Sequence, residues 1–189
     1  INGSVETDTL HVYDGTTVSI DGTVQAAGAT QTVITGSAGV DTIIVNQSGN
    51  LLATGNLGDG NDVLDIIGTL DTGGGTLSLG DGDDSFIIHD GTIVLGTVAG
   101  GAGLDTRVYD ITGSAQLGAL QEFEGLTKRN TGTLNIMGPA VTTGLQVVAV
   151  EGGTLNIGAA GNVTGVEETT VDSGATLNVD GALGFTAGA

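Results

Sequence analysis

Residues 58–66 read Gly-Asp-Gly-Asn-Asp-Val-Leu-Asp-Ile, and residues 80–88 read Gly-Asp-Gly-Asp-Asp-Ser-Phe-Ile-Ile. Each stretch is a glycine-rich acidic turn that continues into a short, mainly apolar run. Weaker copies start at residues 36 and 100. The aspartates that end the four turns are spaced by 21, 22 and 21 residues, and they are Asp41, Asp62, Asp84 and Asp105. A fixed period of this length indicates a solenoid.

The second half of the chain keeps the period but changes the motif. Thr-Leu-Asn-Ile stands at 133–136 and 154–157, and Thr-Leu-Asn-Val at 176–179. With 36 glycines and one proline, the chain disfavours helices and suits stacked central strands joined by tight corners. We therefore predict an all-β fold, a right-handed parallel β-helix with coils of about 21–22 residues.

The predicted solenoid is continuous and has three regions. Residues 1–35 form an irregular N-terminal coil or hairpin, residues 36–110 form coils with Gly-x-Asp turns, and residues 111–189 form coils with Thr-Leu-Asn strands. The chain starts without a signal peptide, so we expect it to be a fragment of a larger protein.

Side-chain alternation predicts which residues face inward. In residues 62–66, Leu64 and Ile66 share one face, and Phe86 and Ile88 repeat that register one coil later. Arg107 stands at the equivalent position of the next coil. We expect a register slip or a bulge there and treat residues 107–127 as a transition.

Composition excludes several classes of function. The formal net charge is −19 and only three residues are basic, too few for a protein that neutralises nucleic-acid phosphates. No stretch approaches the roughly 18 apolar residues of a membrane helix. Cysteine is absent, which removes disulfides and thiolate chemistry. No catalytic constellation emerges, and we expect the chain not to be an enzyme.

The acidic turns are the candidate metal site. Glycine exposes backbone carbonyls, aspartate supplies anionic oxygen, and calcium takes six to eight oxygen ligands. The best predicted Ca²⁺ ligands are Asp59 and Asp62 stacked against Asp81 and Asp84. The weaker pair carries apolar neighbours and consists of Asp41 and Asp105. The competing interpretation is that aspartate and glycine are ordinary corner residues, where aspartate caps its own backbone.

Other polar residues are interpreted structurally. His11 and His89 are single and far apart in the sequence, which favours surface roles. The equal spacing of Asn135, Asn156 and Asn178 predicts an asparagine ladder along stacked coils.

The turns at 58–62 and 80–84, the segment Phe-Glu-Gly-Leu-Thr-Lys at 123–128 and the Gly-Thr-Leu-Asn-Ile coils resemble the passenger region of bacterial autotransporters, over about residues 36–180. Residues 36–110 also resemble the calcium modules of repeats-in-toxin proteins. Both resemblances imply secretion or display on the bacterial cell surface.

The leading functional hypothesis is a structural and adhesive β-helical segment. The resemblance implies a host or surface ligand, and the neighbouring coils of the parent chain are its structural partners. The alternatives are a calcium-triggered folding module and a self-associating filament or surface-layer subunit. A polysaccharide-active enzyme is less favoured, because the composition hardly provides a groove with clustered acidic, basic and aromatic residues.

Overall fold

The protein is a parallel β-solenoid. The computed structural model describes residues 1–28, 30–117, 120–138 and 144–186. None of these residues is helical, and 61% of the chain is β-strand. All the sheets are parallel, and the coils stack into a solenoid of about eight turns. This confirms the predicted β-helix class. The predicted regions 107–127 and 111–189 each include a few positions outside the described residues.

The chain divides into two compact units, Ile1–Asp105 and Thr106–Ala189. The strands of the first unit are β1 (Val5–Glu6), β2 (Thr9–His11), β3 (Thr17–Ile20), β4 (Thr23–Gln25), β5 (Thr32–Ser37), β6 (Thr42–Val45), β7 (Asn50–Gly58), β8 (Val63–Ile66), β9 (Thr69–Asp81), β10 (Ser85–His89) and β11 (Ile93–Ala102). One sheet follows the order β3-β6-β8-β10. The other follows β1-β4-β7-β5-β2, with β9 beside β7 and β11 beside β9.

The second unit is built in the same way. Its strands are β12 (Thr106–Asp110), β13 (Ser114–Gln116), β14 (Gly125–Arg129), β15 (Thr133–Ile136), β16 (Val147–Val150), β17 (Thr154–Ile157), β18 (Asn162–Val166), β19 (Glu168–Val171), β20 (Thr176–Val179) and β21 (Ala182–Phe185). The sheet orders are β12-β14-β16-β19, β13-β15-β17-β20 and β18-β21.

The aliphatic core of the first unit follows the repeat. Ile43, Leu64 and Phe86 are aligned in β6, β8 and β10 and are all 0% exposed. Outward positions of the same strands, such as Asp65, are only partly buried. The alternation predicted from the sequence therefore sets the core.

Glycine is required where neighbouring turns touch. Gly82 has φ +145°, and a Cβ atom there would lie 1.8 Å from the carbonyl oxygen of Gly60. No side chain fits between these two turns, which explains why the acidic turns keep glycine at this position.

The N-terminal region, residues 1–35, was expected to form an irregular coil or hairpin. Its strands β1 to β4 all join parallel pairs.

The segment around Arg107 was expected to contain a register slip or a bulge. Strand β12 pairs with β14 without a register shift, and Arg107 lies opposite the core residue Leu126. Arg107, Val108 and Tyr109 are all buried, and the Arg107 guanidinium lies 5.6 Å from the centre of the Tyr109 ring. Desolvation lowers the pKa of Arg107.

Candidate functional site

The predicted aspartates occupy two separate places in the first unit. Asp59 and Asp81 are exposed and lie opposite each other in adjacent coils. They line a shallow groove together with Asn56 and Thr35. The remaining four are almost fully buried, with 0–1% exposure, and they are Asp41, Asp62, Asp84 and Asp105.

The four buried side chains form a hydrogen-bonded column. The backbone N–H of Asp41 donates to Oδ1 of Asp62 over 2.7 Å, and the N–H of Asp62 donates to Oδ1 of Asp84 over 2.7 Å. The N–H of Asp84 donates to Oδ1 of Asp105 over 2.8 Å. The carboxyl groups of Asp62, Asp84 and Asp105 thus each accept the N–H of the preceding coil, at a turn where the strand ladder has not yet begun. We call Asp41, Asp62, Asp84 and Asp105 the aspartate column.

A second, exposed set of bonds runs in the opposite direction. The N–H of Asp83 donates to Oδ1 of Asn61 over 3.0 Å, and the N–H of Leu104 donates to Oδ1 of Asp83 over 2.9 Å. Here the side chain of the earlier coil accepts from the later coil. Because consecutive side chains point to opposite faces, the pair Asp83-Asp84 bonds one neighbouring coil on each side.

The carboxyl groups of Asp41, Asp62 and Asp84 differ in how their remaining oxygens are bonded. Oδ2 of Asp41 accepts from both the backbone N–H and the hydroxyl of Ser37, over 2.8 and 3.0 Å. In the next coil the residue aligned with Ser37 is Gly58, which has no hydroxyl. Oδ2 of Asp62, Oδ2 of Asp84 and Oδ1 of Asp41 have no hydrogen-bond partner within the described part of the chain.

Burial sets the electrostatics of the column. Desolvation raises the pKa of Asp62 to about 6. The hydrogen bond from the Asp41 N–H partly opposes this increase, and the negative charge of Asp41 adds to it. Desolvation also raises the pKa of Asp84 to about 6, with the bond from Asp62 opposing and the charges of Asp62, Asp83 and Asp81 reinforcing the increase. An ionised column therefore buries like charges without enough compensating contacts.

No set of three acidic or histidine side chains able to hold a metal ion occurs among the residues that the structure describes. The exposed pair and the buried column face different surroundings, and the column already gives one oxygen of each later aspartate to a backbone N–H. The arrangement does not supply the converging oxygens that calcium takes. Calcium binding by these residues stays a prediction.

The chain was also compared with known proteins. No family model, curated protein or solved structure matches it. None of the described residues forms a helix long and apolar enough to cross a membrane.

The predicted asparagine ladder is confirmed in the second unit. Nδ2 of Asn156 donates to Oδ1 of Asn135 over 3.0 Å, and Nδ2 of Asn178 donates to Oδ1 of Asn156 over 2.8 Å. Strands β15, β17 and β20 are paired in register, so the three amides lie in one column. Of the two histidines, His89 is half-buried and its Nε2 lies 2.8 Å from Oδ1 of Asp65, whereas His11 is exposed and lies against Tyr13.

Lys128 is a buried cation that the sequence analysis did not single out. Its side chain is 0% exposed, and its ammonium donates to the carbonyl oxygens of Asn130 (2.9 Å), Ile111 (3.4 Å), Gly152 (3.5 Å) and Arg129. These carbonyls belong to successive turns of the second unit. Alternation from Leu126 would have placed Lys128 inward.

Proposed function

We propose that this chain is a rigid structural segment of a secreted or cell-surface bacterial protein, in which stacked coils hold adhesive parts away from the surface. The main support for this proposal is that side-chain hydrogen bonds, in addition to strand pairing, join successive coils. The aspartate column supplies such a ladder in the first unit and the asparagine ladder supplies one in the second.

Rigidity follows from the way each coil depends on its neighbours. In a solenoid every repeat buries its apolar face and pairs its backbone against adjacent repeats, so local bending breaks several contacts at once. The aspartate column adds bonds at the turns, where a solenoid would otherwise have the fewest, and the asparagine ladder adds side-chain bonds between strands that are already paired. The acidic exterior of a chain with net charge −19 keeps such an element soluble and repels anionic neighbours.

Export and adhesion rest on the resemblance of the turns at 58–62 and 80–84 and of the Thr-Leu-Asn coils to autotransporter passengers. A host or surface ligand is part of this proposal. The ladders support the mechanical part, and the resemblance supports the location and the adhesive context.

The test displays the full chain between a bacterial surface anchor and an N-terminal epitope. The matched control replaces it by a Gly/Ser linker of equal length, which behaves as a flexible coil. We expect a bulky antibody to reach the epitope on the solenoid better than on the linker at equal display level. If the antibody reached the epitope equally well on the solenoid and on the linker, the proposed spacer function would be refuted. Attachment of the same cells to host and abiotic surfaces tests adhesion separately.

A further inference from the structure

Three backbone carbonyl groups of the second unit occupy equivalent places in successive coils. Ile111 and Asn130 directly follow strands β12 and β14, and Gly152 lies two residues after the end of β16. The pairing register of the three strands aligns these residues with one another. We call this place the carbonyl corner. It presents one aligned carbonyl oxygen from each coil to the buried ammonium of Lys128.

The ammonium of Lys128 lies between the coils at this corner. Its nitrogen is 2.9 Å from the oxygen of Asn130 in its own coil, 3.4 Å from that of Ile111 one coil earlier and 3.5 Å from that of Gly152 one coil later. The Arg129 oxygen also accepts from it. An ammonium has only three N–H donors, so this arrangement resembles a cation surrounded by the negative ends of carbonyl dipoles more than a set of one-to-one hydrogen bonds.

The stem of Lys128 is enclosed as completely as its ammonium. Lys128 is 0% exposed, and its strand partners in the coils on either side, Tyr109 and Val150, are 3% and 0% exposed. Shortening this side chain would therefore leave a space inside the solenoid that ends at the carbonyl oxygens. Backbone carbonyls replace the hydration shell of monovalent cations in channel filters, so such a space has the chemistry of a cation site.

We propose that the carbonyl corner is a binding site for ammonium-type monovalent cations, and that Lys128 occupies it as a cation built into the chain. The site joins successive coils of the second unit, because oxygens from each of them share one positive charge. Calcium and magnesium are poorer occupants, since proteins bind them chiefly through carboxylates and these carbonyl oxygens are neutral. The inference goes beyond the spacer function and does not depend on it.

The first experiment separates the cation from the side chain that carries it. Lys128→Ala removes the ammonium and the part of the stem that has the length of propylammonium. We expect propylammonium chloride to raise the melting temperature of the Lys128→Ala chain by roughly 3–6 °C over sodium chloride of equal ionic strength. Ethylammonium and methylammonium, which fill less of the space, should raise it by less. The wild type, in which the site is already filled, should show no such shift.

Controls distinguish cation binding from other effects of the added compounds. Propanol has the shape of propylammonium without its charge, and tetramethylammonium has the charge without an N–H donor, so neither should restore stability. Lys128→Met fills the space with an uncharged side chain and should not respond to propylammonium. If the Lys128→Ala chain melted at the same temperature in all these solutions, or if the wild type shifted equally, the proposal would be overturned.

Lys128→Ala can also be followed by refolding when it is unfolded in sodium chloride. Recovery of the β-sheet circular dichroism signal in propylammonium, but not in propanol or tetramethylammonium, would support the site. Failure to refold in every solution would count against it, because a cation that binds the corner must favour the folded chain.

The second experiment tests the occupied site in the wild type. Lys128 is the only lysine of the chain, so ¹⁵N labelling of lysine Nζ gives a single side-chain signal. We expect the ammonium protons to exchange slowly enough with solvent for this signal to be visible at neutral pH, and to be lost on unfolding in urea. Rapid exchange in the folded chain would overturn the proposal, whereas the epitope experiment on the spacer would be unaffected.

Discussion

Lys128→Met is the perturbation whose effect can be worked out most fully. Methionine has nearly the reach and volume of the lysine stem, so the core of the second unit keeps its packing. What disappears is the ammonium and its bonds to the carbonyl oxygens of Ile111, Arg129, Asn130 and Gly152. The question is whether losing a buried charge outweighs losing its partners.

Whether Lys128→Met stabilises or destabilises the second unit depends on how many carbonyl oxygens lose their hydrogen-bond donor. The Ile111 oxygen also accepts from the backbone N–H of Gly132 over 2.8 Å, so it stays bonded when the ammonium is removed. The Asn130 oxygen accepts from the ammonium over 2.9 Å. Each buried carbonyl left without a donor costs about 1–3 kcal/mol. Three carbonyls lose the ammonium, those of Arg129, Asn130 and Gly152. Because the removed desolvation cost of the ammonium offsets part of this loss, we expect Lys128→Met to destabilise by about 2–5 kcal/mol.

Urea denaturation of the full chain measures this, with Lys128→Ala and Arg129→Met as companions. Lys128→Ala adds a cavity and should be worse by about 1–3 kcal/mol. Arg129 makes a half-exposed ion pair with Glu151 at 2.7 Å, so Arg129→Met removes one positive charge at a cost of less than about 1 kcal/mol. If Lys128→Met were as stable as wild type, the carbonyl bonds would not outweigh the buried charge and the reasoning would be refuted.

Three further predictions concern the ladders and the turns. Because the pKa of Asp62 and Asp84 in the folded chain is about 6, against 3.8 for an ordinary aspartate, their contribution to stability is fully present below about pH 4 and is lost as the pH rises through 6, as urea denaturation at several pH values will show. Gly82→Ala should destabilise by about 3 kcal/mol or more, because its Cβ would meet a carbonyl oxygen at 1.8 Å; Gly74→Ala, at φ +84° in open space, should cost about 1 kcal/mol in the same thermal melts. Asn156→Ala removes two amide bonds and should cost about 1–2 kcal/mol, with faster amide exchange in the adjoining strands.

The fold could be predicted from the sequence because the same sequence pattern recurs in successive coils. Period, alternation and glycine corners each point to the same coil, and Leu64 and Phe86 lie in the core in the register that the alternation predicted. The inward position of Asp62 follows from the same alternation, since residues 62, 64 and 66 share a face. The sequence alone could not show that its carboxyl oxygen reaches an N–H of the preceding coil, because that depends on how far neighbouring turns are offset.

Charged residues in the core were the harder case. Lysine and arginine are almost never fully buried unless paired, so residue type argues for exposure where alternation argues for burial. At Arg107 this conflict led to the expected slip or bulge. Arg107 is nevertheless buried, with its guanidinium beside the Tyr109 ring, and β12 pairs with β14 in continuous register. Alternation was thus a better guide to burial at this position than residue type.

The two opposed sets of bonds explain why the acidic turns contain adjacent polar residues. The inner aspartate of a turn accepts from the preceding coil, and the outer Asn61 or Asp83 accepts from the following one. Val40 stands at the outer position of an earlier turn and cannot accept, whereas Asp41 beside it still joins the column. The inner residue is therefore aspartate in all four turns and the outer one varies. An ionised carboxylate is not needed for the inner role, since a neutral carboxyl oxygen also accepts an N–H.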